Sequence, residues 1–150
     1  MKKIFIVLVV VGLLTGGALL VSREEKAAPV TKRIRAVDIR NIRIPVVVVD
    51  TEPLRTQGLS GREILPPDSG MLFIMDTIAK HGIWMKDMHF SIDIIWTDDS
   101  GRVVTIVPNA APESYPNIFY ADAPARYVLE VNAGFAAEHG ISVGDTMTTE

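Results

Sequence analysis

The chain contains no cysteine, and this absence excludes several kinds of protein at once. Without thiols there is no disulfide framework, thiolate metal site, cysteine nucleophile or lipid-modified cysteine anchor. Charged residues are also few, at 22% of the 150 residues, whereas hydrophobic residues reach 48%. Such a composition excludes an intrinsically disordered chain, and the length is sufficient for one folded domain with a short extension.

Basic residues are scarce in most of the chain. Residues 44–150 contain 6 Lys and Arg against 15 Asp and Glu, whereas residues 1–43 contain 9 against 3. Because phosphate contacts require a basic face, the acidic body argues against nucleic acid as a partner.

The N-terminal segment lacks charge altogether between Ile4 and Val21, directly after Lys2 and Lys3. Its length is roughly 27 Å as a helix at about 1.5 Å per residue, close to the hydrocarbon thickness of about 30 Å. We predict that residues 1–21 are an uncleaved signal anchor, with a cleaved signal peptide as the alternative. Residues 22–41 would be a linker. The body, residues 42–150, would lie on the extracytoplasmic side of the cell membrane, held by one span over residues 4–21, or be secreted if the signal is cleaved.

Short β-branched and aromatic segments between turn residues predict a mainly β domain, either a sandwich or a barrel. Two short helices are predicted, one from Thr51 to Gly58 and one over Ala133–His139. No long helical period occurs, so parallel βαβ winding is not expected. The predicted strands are 44–49, Met71–Met75, Gly82–Met88, Phe90–Thr97, Arg102–Val107, Arg126–Val131 and one after Asp145.

The connection from Pro108 to Ala125 is predicted to lack regular structure. It carries four prolines together with Tyr115, Phe119 and Tyr120. Loops longer than about 12 to 15 residues are uncommon in compact domains and often have a function. One interpretation is a ligand-binding loop; the other, which the sequence favours, is a cover that closes one end of the barrel.

The segment 83–96 contains charged residues among apolar ones. Strand alternation places Phe90, Ile92, Ile94 and Trp96 on one face and Asp93 on the other. An ionised group in such surroundings has to be paired or solvated. We therefore predict an ion pair of Lys86 with Asp93 or with Glu130. It would serve either to hold strands together or to line a ligand cleft.

The same residues carry a family resemblance. The chain resembles the bacterial and archaeal family called domain of unknown function 192 over about residues 42–149, and it departs from that pattern at Asp87 and Ser91. The resemblance implies a compact, mainly β domain, often preceded by an export signal, and implies no settled activity. The matching blocks are Gly58-Leu59-Ser60-Gly61-Arg62, Gly70-Met71-Leu72-Phe73, Trp84-Met85-Lys86, Ile92-Asp93-Ile94, Tyr127-Val128-Leu129-Glu130 and Gly140-Ile141 with Gly144-Asp145.

Known catalytic motifs are absent: the sequence has no nucleophile elbow, zinc-protease, P-loop or dinucleotide-binding pattern. One interpretation is a soft-metal site for copper, because thioether and imidazole groups cluster without thiolates. Core packing is the favoured interpretation of these methionines, and neither a metal nor a cofactor is predicted. The clustered residues are His81, Met85, Met88 and His89, with Met71 and Met75 further away in the sequence.

These observations favour a binding or accessory module for a small molecule over an enzyme. The alternatives are a small enzyme with a cleft around Lys86, Asp93 and Glu130, and the copper-binding protein. A ligand site is expected where Trp84 and Lys86 meet the loop 108–125. The candidate ligand-binding residues are Trp84, Lys86, Asp93, Tyr115, Tyr120 and Glu130.

Overall fold

A computed structural model describes residues 34–150 of the chain. The predicted membrane segment and most of the predicted linker lie outside these residues. Within residues 34–150, no helix has the length and apolar character needed to cross a membrane.

The described part of the chain is mainly β and contains two short helices, as predicted. The helices α1 and α2 cover Glu52–Gln57 and Phe135–Glu138, and a short 3₁₀ helix covers Pro112–Ser114. The strands are β1 (Ala36–Ile39), β2 (Ile42–Val49), β3 (Gly70–Ala79), β4 (Gly82–Trp84), β5 (Ile92–Thr97), β6 (Val103–Ala110), β7 (Ile118–Tyr120), β8 (Ala125–Asn132) and β9 (Met147–Thr149).

Seven of these strands form one curled sheet in the order β6-β5-β8-β3-β2-β1-β9. Its two ends come together, because Arg102 bridges to Thr146 and the amide of Val103 donates to the carbonyl of Asp145 at 2.8 Å. The result is a half-barrel, which agrees with the barrel-like alternative of the sequence analysis.

Strand β5 lies near the centre of this sheet, and all six of its residues are buried. Ile92, Ile94 and Trp96 belong to the hydrophobic cluster on one face, and Ile95 belongs to the cluster on the other. The predicted alternation of this strand is therefore confirmed. Both faces are covered because the half-barrel encloses one cluster, while β4, β7 and the segment after α1 pack over the other.

The structure differs from the sequence prediction in several places. The strand predicted over Gly82–Met88 ends at Trp84, and a turn follows it. Strand β1 lies inside the predicted linker, and β7 forms within the segment 108–125 that was expected to be irregular. Strands β2 and β3 pair in parallel, joined through α1, although parallel winding was not expected. A short helix suffices here because the remainder of the crossover is the irregular segment 58–69, which contains several turns.

Strands β4 and β7 form a separate two-stranded ribbon. Ile83 and Phe119 face each other on it and pack against the first cluster. The other side of the ribbon is exposed, and there Gly82 lies under the side chains of Ile118 and Tyr120. A Cβ at Gly82 would be 2.5 Å from Cγ2 of Ile118, so this close packing requires glycine.

Candidate functional site

Glu130 lies in the middle of the main sheet. On strand β8 it faces Met71 of β3 on one side and Ile94 of β5 on the other. Directly opposed residues share a face of the sheet, so the Glu130 side chain points into the first hydrophobic cluster. Only 4% of the residue is exposed.

The carboxyl group of Glu130 has no hydrogen-bond or ion-pair partner among residues 34–150. Burial disfavours its charged form and raises the pKa of Glu130 from 4.5 to about 8. At neutral pH the group is therefore mostly protonated. In that form it offers one hydrogen-bond donor and retains acceptor capacity.

A cleft of about 260 Å³ opens beside Glu130. One wall is the main sheet, and the opposite wall is formed by α1, the residues after it and strand β4. Most of the inner lining is apolar or aromatic, and the mouth is polar. The apolar lining includes Phe73, Met75, Ile83, Met88 and Ile92. Trp84, which is 44% exposed, lies at the mouth with Glu52, Arg55, Gln57, Ser60 and His81.

Arg55 fixes helix α1 at the mouth of the cleft. Its guanidinium donates to the carbonyl oxygens of Asp50 at 2.8 Å and Ile74 at 2.9 Å, and it pairs with the carboxylate of Asp76. Arg55 is thus committed to holding α1 against the end of β3. With these partners satisfied, we assign it a positioning role.

The segment after α1 is tied to the turn after β4. The hydroxyl of Ser60 donates to the carbonyl of Lys86 at 2.8 Å, and the amide of Gly61 donates to the carbonyl of Asp87 at 2.8 Å. Asp87 adopts a positive φ of 54°, which the short polar side chain tolerates. These bonds join the two parts of the cover, so the cleft has a defined shape without a ligand.

Asp93 has a structural role on the opposite face of the sheet. It pairs with Val131, the strand neighbour of Glu130, and successive residues of a strand face opposite sides. Its carboxylate accepts backbone N–H bonds from Asn109 at 2.8 Å, Gly134 at 3.1 Å and Ala136 at 2.8 Å. Asp93 and Glu130 therefore cannot line one cleft. The predicted enzyme cleft around Lys86, Asp93 and Glu130 is wrong in placing these two acids together.

The predicted ion pair of Lys86 is not present. Lys86 is exposed and makes no ion pair with any residue of the described range. The charge of Asp93 is satisfied by backbone amides, and Glu130 is buried on the far side of the cover. Exposure to water solvates Lys86 directly, which removes the need for a partner.

Two of the six candidate ligand-binding residues, Trp84 and Glu130, line the cleft. Lys86, Asp93, Tyr115 and Tyr120 are not among the residues that line it. Tyr115 and Tyr120 are 46% and 56% exposed, whereas Phe119 between them packs inward. The segment 108–125 therefore acts in part as the cover that the sequence favoured.

The predicted soft-metal residues are divided between the core and the surface. Met71 and Met85 are buried in the first cluster, and His89 is exposed. Only Met75, Met88 and His81 line the cleft. Within residues 34–150, no three His, Cys, Asp or Glu side chains are grouped so that they could hold a metal ion.

Sequence reasoning missed the contribution of β3 and α1 to the cleft. The resemblance blocks already contained Phe73 and Gly58, but nothing in their local pattern distinguishes a cleft wall from ordinary core. Gly58 has a φ of 49° and ψ of −127°, and a Cβ there would be 3.2 Å from the Phe73 ring. Its position directly after α1 was the available signal, and it was interpreted only as a helix end.

The fold and the site together define a class: a curled β domain with a preformed cleft and one unpaired acid at the base. The family model described as "Uncharacterized ACR", domain of unknown function 192, matches residues 34–149. The chain belongs to this family, as its resemblance implied. No curated protein matches the chain.

Two solved structures are similar to the chain. A protein of unknown function from Novosphingobium aromaticivorans is 28% identical, with a TM-score of 0.73, over 81% of this chain and 89% of that one. A proposed transcription regulator from Sinorhizobium meliloti is 31% identical, with a TM-score of 0.74, over 78% of this chain and 94% of that one. Both support the half-barrel fold.

Proposed function

We propose that the folded body is a small-molecule-binding module whose ligand enters the cleft and reaches Glu130. One observation carries this proposal: an acid that is 4% exposed has no partner in the described protein and lies against a preformed cavity. The Glu130 carboxyl group lines the cleft, so a ligand can exchange water there for direct hydrogen bonds. Each such bond is worth about 0.5 to 1.5 kcal/mol.

The lining fits this function. Small-molecule sites combine apolar and aromatic walls with a few polar groups that orient the ligand. Here Phe73, Trp84 and Met88 supply such walls, and Glu130 supplies the polar group at the base. The volume of about 260 Å³ is just below the usual range of about 300 to 1,000 Å³. The ligand, or the part of it that enters, is therefore small.

A fragment screen by NMR on the full-length protein tests the proposal. We expect bound fragments to shift the methyl signals of Met75 and Met88 and the indole signal of Trp84, because these side chains line the cleft. Thr56→Trp, which places a large ring at the cleft mouth, should abolish these shifts. Leu54→Trp on the same helix is the matched control, because Leu54 is exposed and lies outside the lining.

Two results would contradict the proposal. One is a screen in which no fragment shifts the cleft signals. The other is a set of shifts confined to Met147, which belongs to the second cluster and lies away from the cleft.

An enzyme remains the second candidate, and the raised pKa of Glu130 favours it. A carboxyl group with a pKa of about 8 can donate a proton near neutral pH, as a general acid does. The predicted partners Lys86 and Asp93 do not reach it, so the acid would act alone. Conversion of a bound fragment over time, lost in Glu130→Gln while binding persists, would distinguish an enzyme from a binding module.

The acidic body supports a partner other than nucleic acid. Residues 44–150 carry 6 basic against 15 acidic side chains, and DNA-binding surfaces require the reverse. The charge of the body therefore gives no support for a DNA-binding regulator.

We also propose that residues 4–21 hold the body at the cell membrane, on the extracytoplasmic side. The support is the uncharged sequence after Lys2 and Lys3. Protease added to intact spheroplasts should degrade the body while a cytoplasmic marker survives. A body that is degraded only after lysis would contradict this topology.

A further inference from the structure

We infer that the ligand group bound next to Glu130 is a neutral amide, held by two hydrogen bonds in which the carboxyl group both donates and accepts. This inference rests on the proposed function of the cleft and adds the chemical class of the ligand. It follows from the surroundings of Glu130, the hydrogen-bonding capacity of its carboxyl group and the charges at the mouth.

The surroundings of Glu130 contain no other titratable group on the sheet. On its face of the sheet the flanking residues are Met71 and Ile94, and along its own strand they are Val128 and Asn132. Phe73, Met75 and Ile92 complete this wall. None of these wall residues carries a charge that could compensate a charged ligand group at the base of the cleft.

The opposite wall contributes charge only at the mouth. The titratable residues that line the cleft besides Glu130 are Glu52 and Arg55 of α1 and His81 of the turn between β3 and β4. Arg55 already has three oxygen partners, and His81 places Nε2 at 2.8 Å from the carbonyl of Thr77. Since a carbonyl only accepts, Nε2 carries the proton.

These surroundings select among ligand groups. An ammonium group at Glu130 would have to lose its water among apolar side chains, and a buried ion pair often fails to recover that cost. A carboxylate would place a negative charge in the same apolar wall. An amide stays neutral, and its N–H and C=O match the acceptor and donor of a protonated carboxyl group.

Binding of an amide next to Glu130 should depend on pH. Burial raises the pKa of Glu130 to about 8, so the donor form is lost as the pH rises past this value. If only the protonated form binds the amide, the apparent Kd should rise about tenfold between pH 7 and pH 9.

Three probes of similar shape and different charge test the inference on the full-length protein: benzamide, benzoate and benzylamine. We expect benzamide to bind most tightly at pH 7, shifting the methyl signals of Met75 and Met88. Glu130→Gln keeps a donor and an acceptor but does not titrate. In this variant the Kd of benzamide should change by less than about twofold between pH 7 and pH 9. Glu138→Gln, an exposed carboxyl group on α2, is the matched control and should retain the pH dependence.

Tighter binding of benzylamine or benzoate than of benzamide at pH 7 would overturn the amide inference. An unchanged pH dependence in Glu130→Gln would overturn it as well. If none of the three probes binds while other fragments shift the Met75 and Met88 signals, the amide inference fails and the binding function stands. If no compound shifts these signals, the binding function itself fails.

Discussion

Asp93→Ala should destabilise the protein by about 3 kcal/mol, because one buried and two part-buried backbone N–H groups lose a charged acceptor. A hydrogen bond to a charged group is worth about 1.5 to 3 kcal/mol. The three donors are Asn109 at the end of β6, and Gly134 and Ala136 at the start of α2. Asn109 and Gly134 have positive φ angles of 52° and 87°. One carboxylate thus fixes both the end of β6 and the start of α2.

Urea denaturation of the full-length protein measures this effect. Asp93→Asn should lie between the wild type and Asp93→Ala, since one amide oxygen still accepts while the NH₂ group faces a donor. It also yields a value if Asp93→Ala does not fold. The control is Asp99→Ala, an exposed position in the turn between β5 and β6, with an expected change within about 0.5 kcal/mol. Equal midpoints for Asp93→Ala and Asp99→Ala would refute the structural role of Asp93.

Glu130 should make the protein less stable as the pH rises from 5 to 8. Its folded pKa, about 8, lies above the ordinary value of 4.5, so between these values the folded state holds a proton that the unfolded state has released. The stabilisation is complete below the ordinary pKa and is lost as the pH rises through the folded pKa. The free energy of unfolding should fall by up to about 1.4 kcal/mol per pH unit.

Glu130→Gln should remove this contribution, because an amide does not titrate. We expect the variant to exceed the wild type in stability at pH 8 by at least about 2 kcal/mol more than at pH 5. The measurement is the urea midpoint at the two pH values, with Glu138→Gln as the matched exposed control. A difference between Glu130→Gln and the wild type that is the same at both pH values would show that Glu130 is ionised in the folded state.

A binding role explains why an unpaired buried acid is present at all. A carboxyl group without a partner among apolar side chains lowers stability, and functional sites are where proteins commonly carry such a cost. The structural role of a buried acid is illustrated by Asp93, which has three donors. Glu130 has no such donor in the described residues. The protein therefore contains one buried acid with a structural role and one that is available to a ligand.

The sequence predicted the fold class and the alternation of β5 because both depend on local patterns. Ile92, Ile94 and Trp96 alternate with Asp93 and Ile95 whatever they pair with. Strand β1 was missed because it is only four residues long and is flanked by basic residues typical of a linker. Strand β7 was missed because it is three residues long between prolines, and its partner β4 is distant in the sequence.

The candidate site could be predicted only in part, since its geometry depends on how the strands are aligned with one another in the sheet. Trp84 and Glu130 were identified as unusual from their local context, and the structure places both at the cleft. The face that Glu130 takes is set by its pairing with Met71 and Ile94, which no local pattern specifies. The partners of Asp93 are backbone amides 16 to 43 residues away, so charge counting wrongly suggested Lys86.

The protonation state of Glu130 is the central claim, and its direct measurement is a ¹³C NMR titration of glutamate carboxyl carbons in the full-length protein. The signal that disappears in Glu130→Gln identifies the residue. We predict a midpoint near pH 8 for this signal, because burial without a partner disfavours the charged form. A midpoint near the ordinary value of 4.5 would show a charged, solvated carboxylate and would contradict the account of the cleft.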